Sequence, residues 1–545
     1  MTVRTGRITA TIVLLAGLVT GSHAALADAV GDPLGDRLET LLDDPSPPLS
    51  GDLAPRIEAF YAVRDFRPAW RRPEAVTAFT AALDTLADDG LRPADYAADR
   101  LVAAHHQAYA GEGPVDERAR FDIAVTRLLL TALRHLDRGK VDPASLEADW
   151  DVPLPPFSPD VAALSDDVDA LDFETAFARA RPDYAPYRRL RTALAHYRRI
   201  RDTGGWPSLP PLDTALHPGD RAPAVAVLRR RLAVTGAPVG DSAAPALYDD
   251  ALAGAVRHFQ RHHYLEVDGV VGAATRTALN VSVDARIDQI RVNLERARWL
   301  LHGLPRSFVL VDIAGYRLTY YRPDHKPWHT RIVVGTPYRR TPTLRSEITH
   351  LTLNPTWTVP ASITWRELLP RIRRDPGYLA REHLQVLTPE GRALDPAAID
   401  WSDPPAVVLR QKAGADNALG RVVFRFPNPY AVYLHDTPAR ALFNRPRRAF
   451  SHGCIRVEHP LELARLLLDD PQRWDATAIS ETVATGVTLS VDLPEPVPVI
   501  VHYWTVNIAG DGTLAFKPDI YGRDRAVLAA LERPAAAAGS ALLRP

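Results

Sequence analysis

Tyr433-Leu434-His435-Asp436-Thr437-Pro438, followed by Ser451-His452-Gly453-Cys454-Ile455-Arg456-Val457, is the stretch from which the rest of the chain is read. An apolar, strand-like run delivers His435, and a loop carrying Arg445, Arg447 and Arg448 leads on to the single cysteine, 454 − 435 = 19 positions beyond the histidine. Pro460-Leu461-Glu462-Leu463-Ala464-Arg465 then reads as a helix, with proline at an early position and an acid in the first turn. That placement predicts a thiol near a helix N-terminus, made more acidic by the helix dipole and by an imidazole. A lone cysteine is most often a small buried hydrophobe. A nucleophilic one needs a base, and donors for the oxyanion formed on a carbonyl under attack. His435 is the better base, because His452 is only two residues from Cys454, a short span for imidazole-to-thiol geometry, whereas a histidine on a neighbouring strand approaches squarely. Ser451 and His452 then shape the pocket, and the N–H groups of Gly453 and Cys454 are expected to face the oxyanion.

Around this stretch, from about 305 to 493, short β-branched and aromatic runs such as Phe308-Val309-Leu310-Val311-Asp312, Leu318-Thr319-Tyr320-Tyr321 and Arg331-Ile332-Val333-Val334 predict a β-rich domain. Between about 363 and 421 the chain turns polar and partly helical, which reads as an inserted flap over one end of the sheet. Tyr433 and Trp357 are candidate groove liners, though each suits packing as well. Arg456 suits bidentate recognition of a carboxylate; a salt bridge to Glu458 is the competing reading.

Upstream, 216–279 carries two short amphipathic helices, a turn at Asp268-Gly269 and a last helix ending near Leu279. From 36 to 206 the Ala-, Leu- and Arg-rich sequence has helical spacing, and the tail from 494 to 530 is expected to complete that helical region. The fold class is therefore α+β and multidomain, as a length of 545 residues allows. With 65 Lys plus Arg against 66 Asp plus Glu, charge gives no reason to expect a nucleic-acid partner. Arg4 and Arg7 precede an apolar stretch from Ile8 to Val19 and small-residue sites near Ala24 and Ala27, the pattern of a secretory signal peptide over 1–27. A spanning helix needs about 20 apolar residues, so no membrane span is expected after its removal, and the protein is expected in the periplasm.

His435 with Ser451-His452-Gly453-Cys454 resembles the signature of the L,D-transpeptidase catalytic domain. Thr341-Pro342-Thr343-Leu344, Asn354-Pro355-Thr356-Trp357-Thr358-Val359-Pro360 and Phe426-Pro427-Asn428 are similar to its large multidomain Gram-negative subgroup. Pro223-Ala224-Val225, Phe259-Gln260, Asp268-Gly269 and Ala278-Leu279 resemble a small three-helix peptidoglycan-binding domain. The resemblance implies that Cys454 attacks the carbonyl of the third residue of a donor tetrapeptide stem, releases D-alanine, and passes the acyl group to an amine of an acceptor stem as a 3→3 cross-link. It implies no cofactor and no metal, and it implies that carbapenems acylate Cys454. Arg456 stands where many members have Asn. A zinc-dependent wall peptidase using His435, Asp436, His452, Cys454 and His459 is the enzymatic alternative, but His-Glu-x-x-His is absent. A non-catalytic wall-binding scaffold is the other.

Overall fold

The computed structural model describes residues 32–43, 52–110, 113–154, 156–240, 243–375, 377–509 and 512–534. The signal-peptide reading over 1–27 lies outside them. The chain is a multidomain α+β protein: a helical N-terminal region, a small helical unit and a β-rich C-terminal domain. Among the described residues no helix is long and apolar enough to cross a membrane.

The helical region centres on Val115–Arg138, with Asp116 and Glu117 in its first turn and Arg138 in its last, each complementing the helix dipole. Its apolar face, including Phe121, Val125, Leu129 and Leu133, packs with the Phe60, Tyr61 and Trp70 cluster. Asp122 is buried there because it accepts from Tyr61 Oη at 2.7 Å and from the N–H groups of Ala69 and Trp70 at 2.9 and 3.0 Å. The same core takes in helix Val283–Leu300 and, from the tail, Trp504, Val506, Phe516, Val527 and Leu531. The small unit is formed by helices Pro223–Ala233, Asp250–His262 and Ala273–Leu279 around Val225, Leu228, Val256 and Phe259. Its turn is pinned by Gln260, which donates to Asp268 Oδ1 at 2.8 Å and accepts from the Gly269 N–H at 2.9 Å.

The strands are β1 (Trp150–Asp151), β2 (Phe308–Asp312), β3 (Arg317–Tyr321), β4 (Trp328–Gly335), β5 (Thr343–Leu353), β6 (Trp357–Thr358), β7 (Leu384–Leu387), β8 (Ala393–Leu394), β9 (Val408–Gln411), β10 (Val422–Arg425), β11 (Leu434–His435), β12 (Ala449–Ser451), β13 (Ile455–Val457), β14 (Leu489–His502), β15 (Val506–Ile508) and β16 (Leu514–Phe516). In the large sheet the order is β5-β10-β11-β13-β4-β3-β2-β14, and β14 pairs back onto β5, so eight strands close into a ring. β1 adds to β5, and β12 to β4, outside that ring. Inward residues such as Val309, Val311, Leu434, Ile455, Val499 and Val501 fill the ring, with helix Pro460–Leu468 packed against it. β14 pairs along its length to His502, so the sheet continues past 493, where the sequence texture changes. The insertion builds its own four-stranded sheet, β6-β9-β7-β8, and its own core of Val359, Leu368, Ile372 and Leu409.

Candidate active site

β11 and β13 run parallel with Leu434 opposite Ile455 and His435 opposite Arg456. Leu434 and Ile455 point into the ring, so by strand alternation Tyr433, His435, Cys454 and Arg456 share the other face. Tyr433 is level with Cys454, and His435 lies one diagonal step away, about 7–8 Å between Cα atoms in such a sheet.

Cys454 follows a tight turn that requires glycine, since Gly453 has φ +116°. Ser451 Oγ donates to the Cys454 carbonyl at 2.5 Å and accepts the Gly453 N–H at 3.1 Å. The Gly453 carbonyl accepts from Thr341 Oγ1 at 2.8 Å. Thr341 is fixed in turn by Tyr521, whose hydroxyl accepts the Thr341 N–H at 3.1 Å and donates to the Gly335 carbonyl at 2.9 Å. Ser451 occupies the Gly453 N–H, one of the two expected to face an oxyanion, while among the described residues the Cys454 N–H has no acceptor.

The thiol is not at a helix N-terminus. β13 intervenes, and the helix begins only at Pro460. The dipole effect falls off within a turn, so the expected acidification from that source is lost. Burial pushes the Cys454 thiol above its usual value, against the opposing pull of the Tyr433 backbone and phenol, Arg456 and Arg425. Arg425 also lies over the Tyr433 ring, 4.9 Å from its centroid.

His435 is 4% exposed, and burial, reinforced by the Arg456 charge, lowers its pKa to about 3. It is therefore a neutral imidazole at ordinary pH. Its Nδ1 lies 2.5 Å from the Asp436 carbonyl, and the Leu419 backbone also favours its charged form. The ring makes no hydrogen bond to Cys454 in this resting geometry; the thiol instead donates to the Ala431 carbonyl at 3.8 Å and lies beside the Tyr433 phenol. Asp436 is clamped from outside: its Oδ2 accepts the Arg421 N–H at 2.9 Å and its Oδ1 accepts from Arg440 at 3.0 Å. The orienting role of the Asp436 carbonyl was not legible in the sequence, because any residue supplies a carbonyl.

Arg456 does not pair with Glu458, which forms its ion pair with Arg331. Its guanidinium is largely buried beside Cys454, and Nε has no hydrogen-bond partner. His452 points to the flap, with Nε2 2.8 Å from Glu367 Oε1, and Glu367 also pairs with Arg339. Trp357 sits on β6 opposite Gln411, partly buried against the core of Val359, Leu368, Ile372 and Leu409. Among the described residues no three of His, Cys, Asp and Glu gather closely enough to hold a metal ion.

Residues 306–499 match the L,D-transpeptidase catalytic domain family, 221–279 match the family described as "Putative peptidoglycan binding domain", and 55–194 match the scaffold domain family. A curated Haemophilus influenzae protein described as "Putative L,D-transpeptidase" is 38% identical over 221 residues, 40% of this chain and 45% of the relative, so the chain spans under half of that relative's length. An L,D-transpeptidase structure from Mycobacterium smegmatis is similar at 15% identity over 36% of this chain and 58% of that one, with a TM-score of 0.19. L,D-transpeptidase 3 from Mycobacterium tuberculosis is similar at 15% identity over 36% of this chain and 61% of that one, with a TM-score of 0.18.

Proposed function

From a chain that carries an L,D-transpeptidase catalytic domain at 306–499, a peptidoglycan-binding domain at 221–279 and a scaffold domain at 55–194, we propose a cysteine acyltransferase that forms 3→3 cross-links in peptidoglycan. Cys454 Sγ attacks the carbonyl of the third residue of a donor tetrapeptide stem. The S–C bond forms, the C–N bond to D-alanine breaks, and the thiol proton passes through His435 to the departing amine. An amine on an acceptor stem then attacks the thioester, forming the new amide and returning the proton to sulfur by the same route.

The observation that carries this reading is the outward face of β11 and β13, where the only cysteine, a neutral imidazole and an unpaired guanidinium occur together. His435 must turn one diagonal step towards the sulfur, a tightening that resting sites often need when substrate arrives. The neutral thiol is a poor nucleophile by itself, so it needs that base brought within hydrogen-bond reach. The free Cys454 N–H is the oxyanion donor, the Tyr433 phenol steadies the sulfur, and Arg456 takes a stem carboxylate. Ser451 and Gly453 hold the turn, and His452 ties it to the flap. Wall-directed domains support an extracytoplasmic location, for which the 1–27 segment is the export signal.

Intact mass after exposure to a carbapenem and, separately, to a tetrapeptide muropeptide tests the reading. Wild type is expected to gain a covalent adduct and to release D-alanine, and Cys454→Ala to do neither. A folded wild-type protein with a reduced thiol that formed no adduct would leave a wall-binding scaffold as the better account.

A further inference from the structure

Where helix Asp250–His262 of the small unit faces the ring, a cavity of about 450 Å³ lies between them, bordered on a third side by the β15–β16 hairpin at Asn507 and Ala515. Its ring side is set by strand register. Arg317 on β3 stands directly opposite Arg331 on β4. Their neighbours Leu318 and Ile332 fill the interior of the ring, so by alternation both arginines lie on its outer face. Like charges directly opposite on adjacent strands repel, so the pair weakens the sheet that carries it. Arg448, from the loop before β12, joins them: it lies over the Tyr316 ring at 5.1 Å and donates to the Tyr316 and Ile332 carbonyls, each at 3.2 Å. Arg261 comes from the last turn of the facing helix.

Four guanidinium groups thus line the cavity against one carboxylate, that of Glu458. Glu458 is closed on Arg331, whose Nε donates to it at 2.7 Å. The nearby Asp312 is taken up by Lys517. Among the described residues Arg261, Arg317 and Arg448 have no carboxylate within ion-pair distance. Three positive charges are therefore left without a counter-charge in a chain whose formal charge is −1, so the excess is local. Arg261 and Arg317 are exposed; Arg448 is half-buried, and burial together with the Arg331 charge lowers its pKa. Burial and Arg317 also lower the pKa of His329 on the same rim. A concave surface of one charge sign concentrates ions of the other. The cavity stands apart from the catalytic centre, since the run from Cys454 to Glu458 is about 13 Å at strand spacing.

We infer that this cavity is a binding site for a multiply charged oxyanion, held between Arg261 of the small helical unit and Arg317 and Arg448 of the ring. Guanidinium forks donate in pairs to carboxylate or phosphate oxygens, and such charge-assisted bonds are short and strong. A singly charged group leaves two of the three charges unanswered. A phosphate ester, a diphosphate or a cluster of carboxylates answers two or all three, and these share the chemistry that the site recognises. The volume lies within the usual range of small-molecule sites. Because Arg261 and Arg317 belong to different domains, the occupant ties the small unit to the catalytic sheet.

Pyrophosphate is the probe, titrated by calorimetry into the full chain in about 50 mM salt, with acetate as the singly charged control. Saturable binding is expected, one per chain, with acetate about tenfold weaker or worse and with pyrophosphate affinity falling about tenfold as salt rises to about 0.5 M. Arg317→Gln and Arg261→Gln, on opposite walls, each weaken pyrophosphate about tenfold. Arg374→Gln, which removes an exposed charge from the flap instead, leaves it unchanged. A cooperative urea transition checks that each variant is folded. Competition then assigns the source: displacement of bound pyrophosphate by a tetrapeptide muropeptide identifies clustered carboxylates, and displacement by glycerol phosphate alone identifies a phosphate ester. The proposal is overturned by absence of saturable binding to the folded wild type, by wild-type affinity in the folded Arg317→Gln and Arg261→Gln variants, or by an equal loss in Arg374→Gln.

Discussion

At Cys454, burial and nearby positive charge oppose each other, and burial wins. Arg456 is one of the downward pulls, so Arg456→Met moves the thiol pKa higher still. Alkylation by iodoacetamide at pH 8 is expected to slow by about threefold or more; an unchanged rate would show that the guanidinium does not act on the sulfur. His502 supplies a pH test with a definite sign. Burial holds its folded pKa at about 4, below the ordinary 6.5, so between those values the unfolded chain binds a proton that the folded chain refuses. Stability is therefore lost as pH falls through that window, by about 2–3 kcal/mol at its lower end. His502→Phe removes this linkage: in urea unfolding at pH 7 and at pH 4.5, the variant should lose less stability between the two than wild type does. Both residues also mark the limit of reading from sequence. The Ser451-His452-Gly453-Cys454 run is recognisable because its chemistry depends on residue type. The missing partners of Arg456 and His502 depend on what surrounds them, and no local pattern reports that.

The loop before β10 and the strand β11 meet at Gly420, where φ is +62° and an added Cβ would lie 2.5 Å from the Asp436 side chain. Gly420→Ala is expected to cost about 1–3 kcal/mol in chemical unfolding, from backbone strain and displacement together. Because the Asp436 carbonyl positions His435, carbapenem acylation of Cys454 should slow as well, while simple alkylation of the thiol, which needs no base in register, changes little. Equal slowing of both would place the damage elsewhere. Elements were unevenly legible. Phe308–Asp312 and Arg317–Tyr321 advertise themselves through β-branched and aromatic residues. β5, which pairs on both edges, carries Arg345, Ser346, Glu347 and His350 among its apolar positions, so no simple alternation marks it as a strand. The helix after the cysteine was legible, but not the three-residue strand that separates it from the thiol. So short a strand exists only through pairing with β4 and β11, which lie far off in sequence.

Across the whole molecule, the tail reaches the catalytic turn. The Tyr521 hydroxyl binds the Gly335 carbonyl and the Thr341 N–H, and Thr341 holds the Gly453 carbonyl beside Cys454. Tyr521→Phe leaves those buried groups unpaired, and a loss of about 1–3 kcal/mol in urea unfolding is expected, together with slower carbapenem acylation even though residue 521 touches no substrate. Full-rate acylation in the variant would show that the turn holds without the tail. The mixed origin of the helical core, which draws on Val283–Leu300 and on Trp504, Val506 and Phe516, was only partly legible, since periodicity reveals a buried face but not what buries it. The closing of the strand ring by β14 has a consequence in time. β14 completes the ring by pairing with β2, which is made almost two hundred residues earlier, and with β5. Contacts so distant along the chain form late, after the entropy of a long loop has been overcome. A chain emerging from its N-terminus therefore carries Cys454 into the open before the ring can shut, and the reactive centre matures only when the last strand arrives.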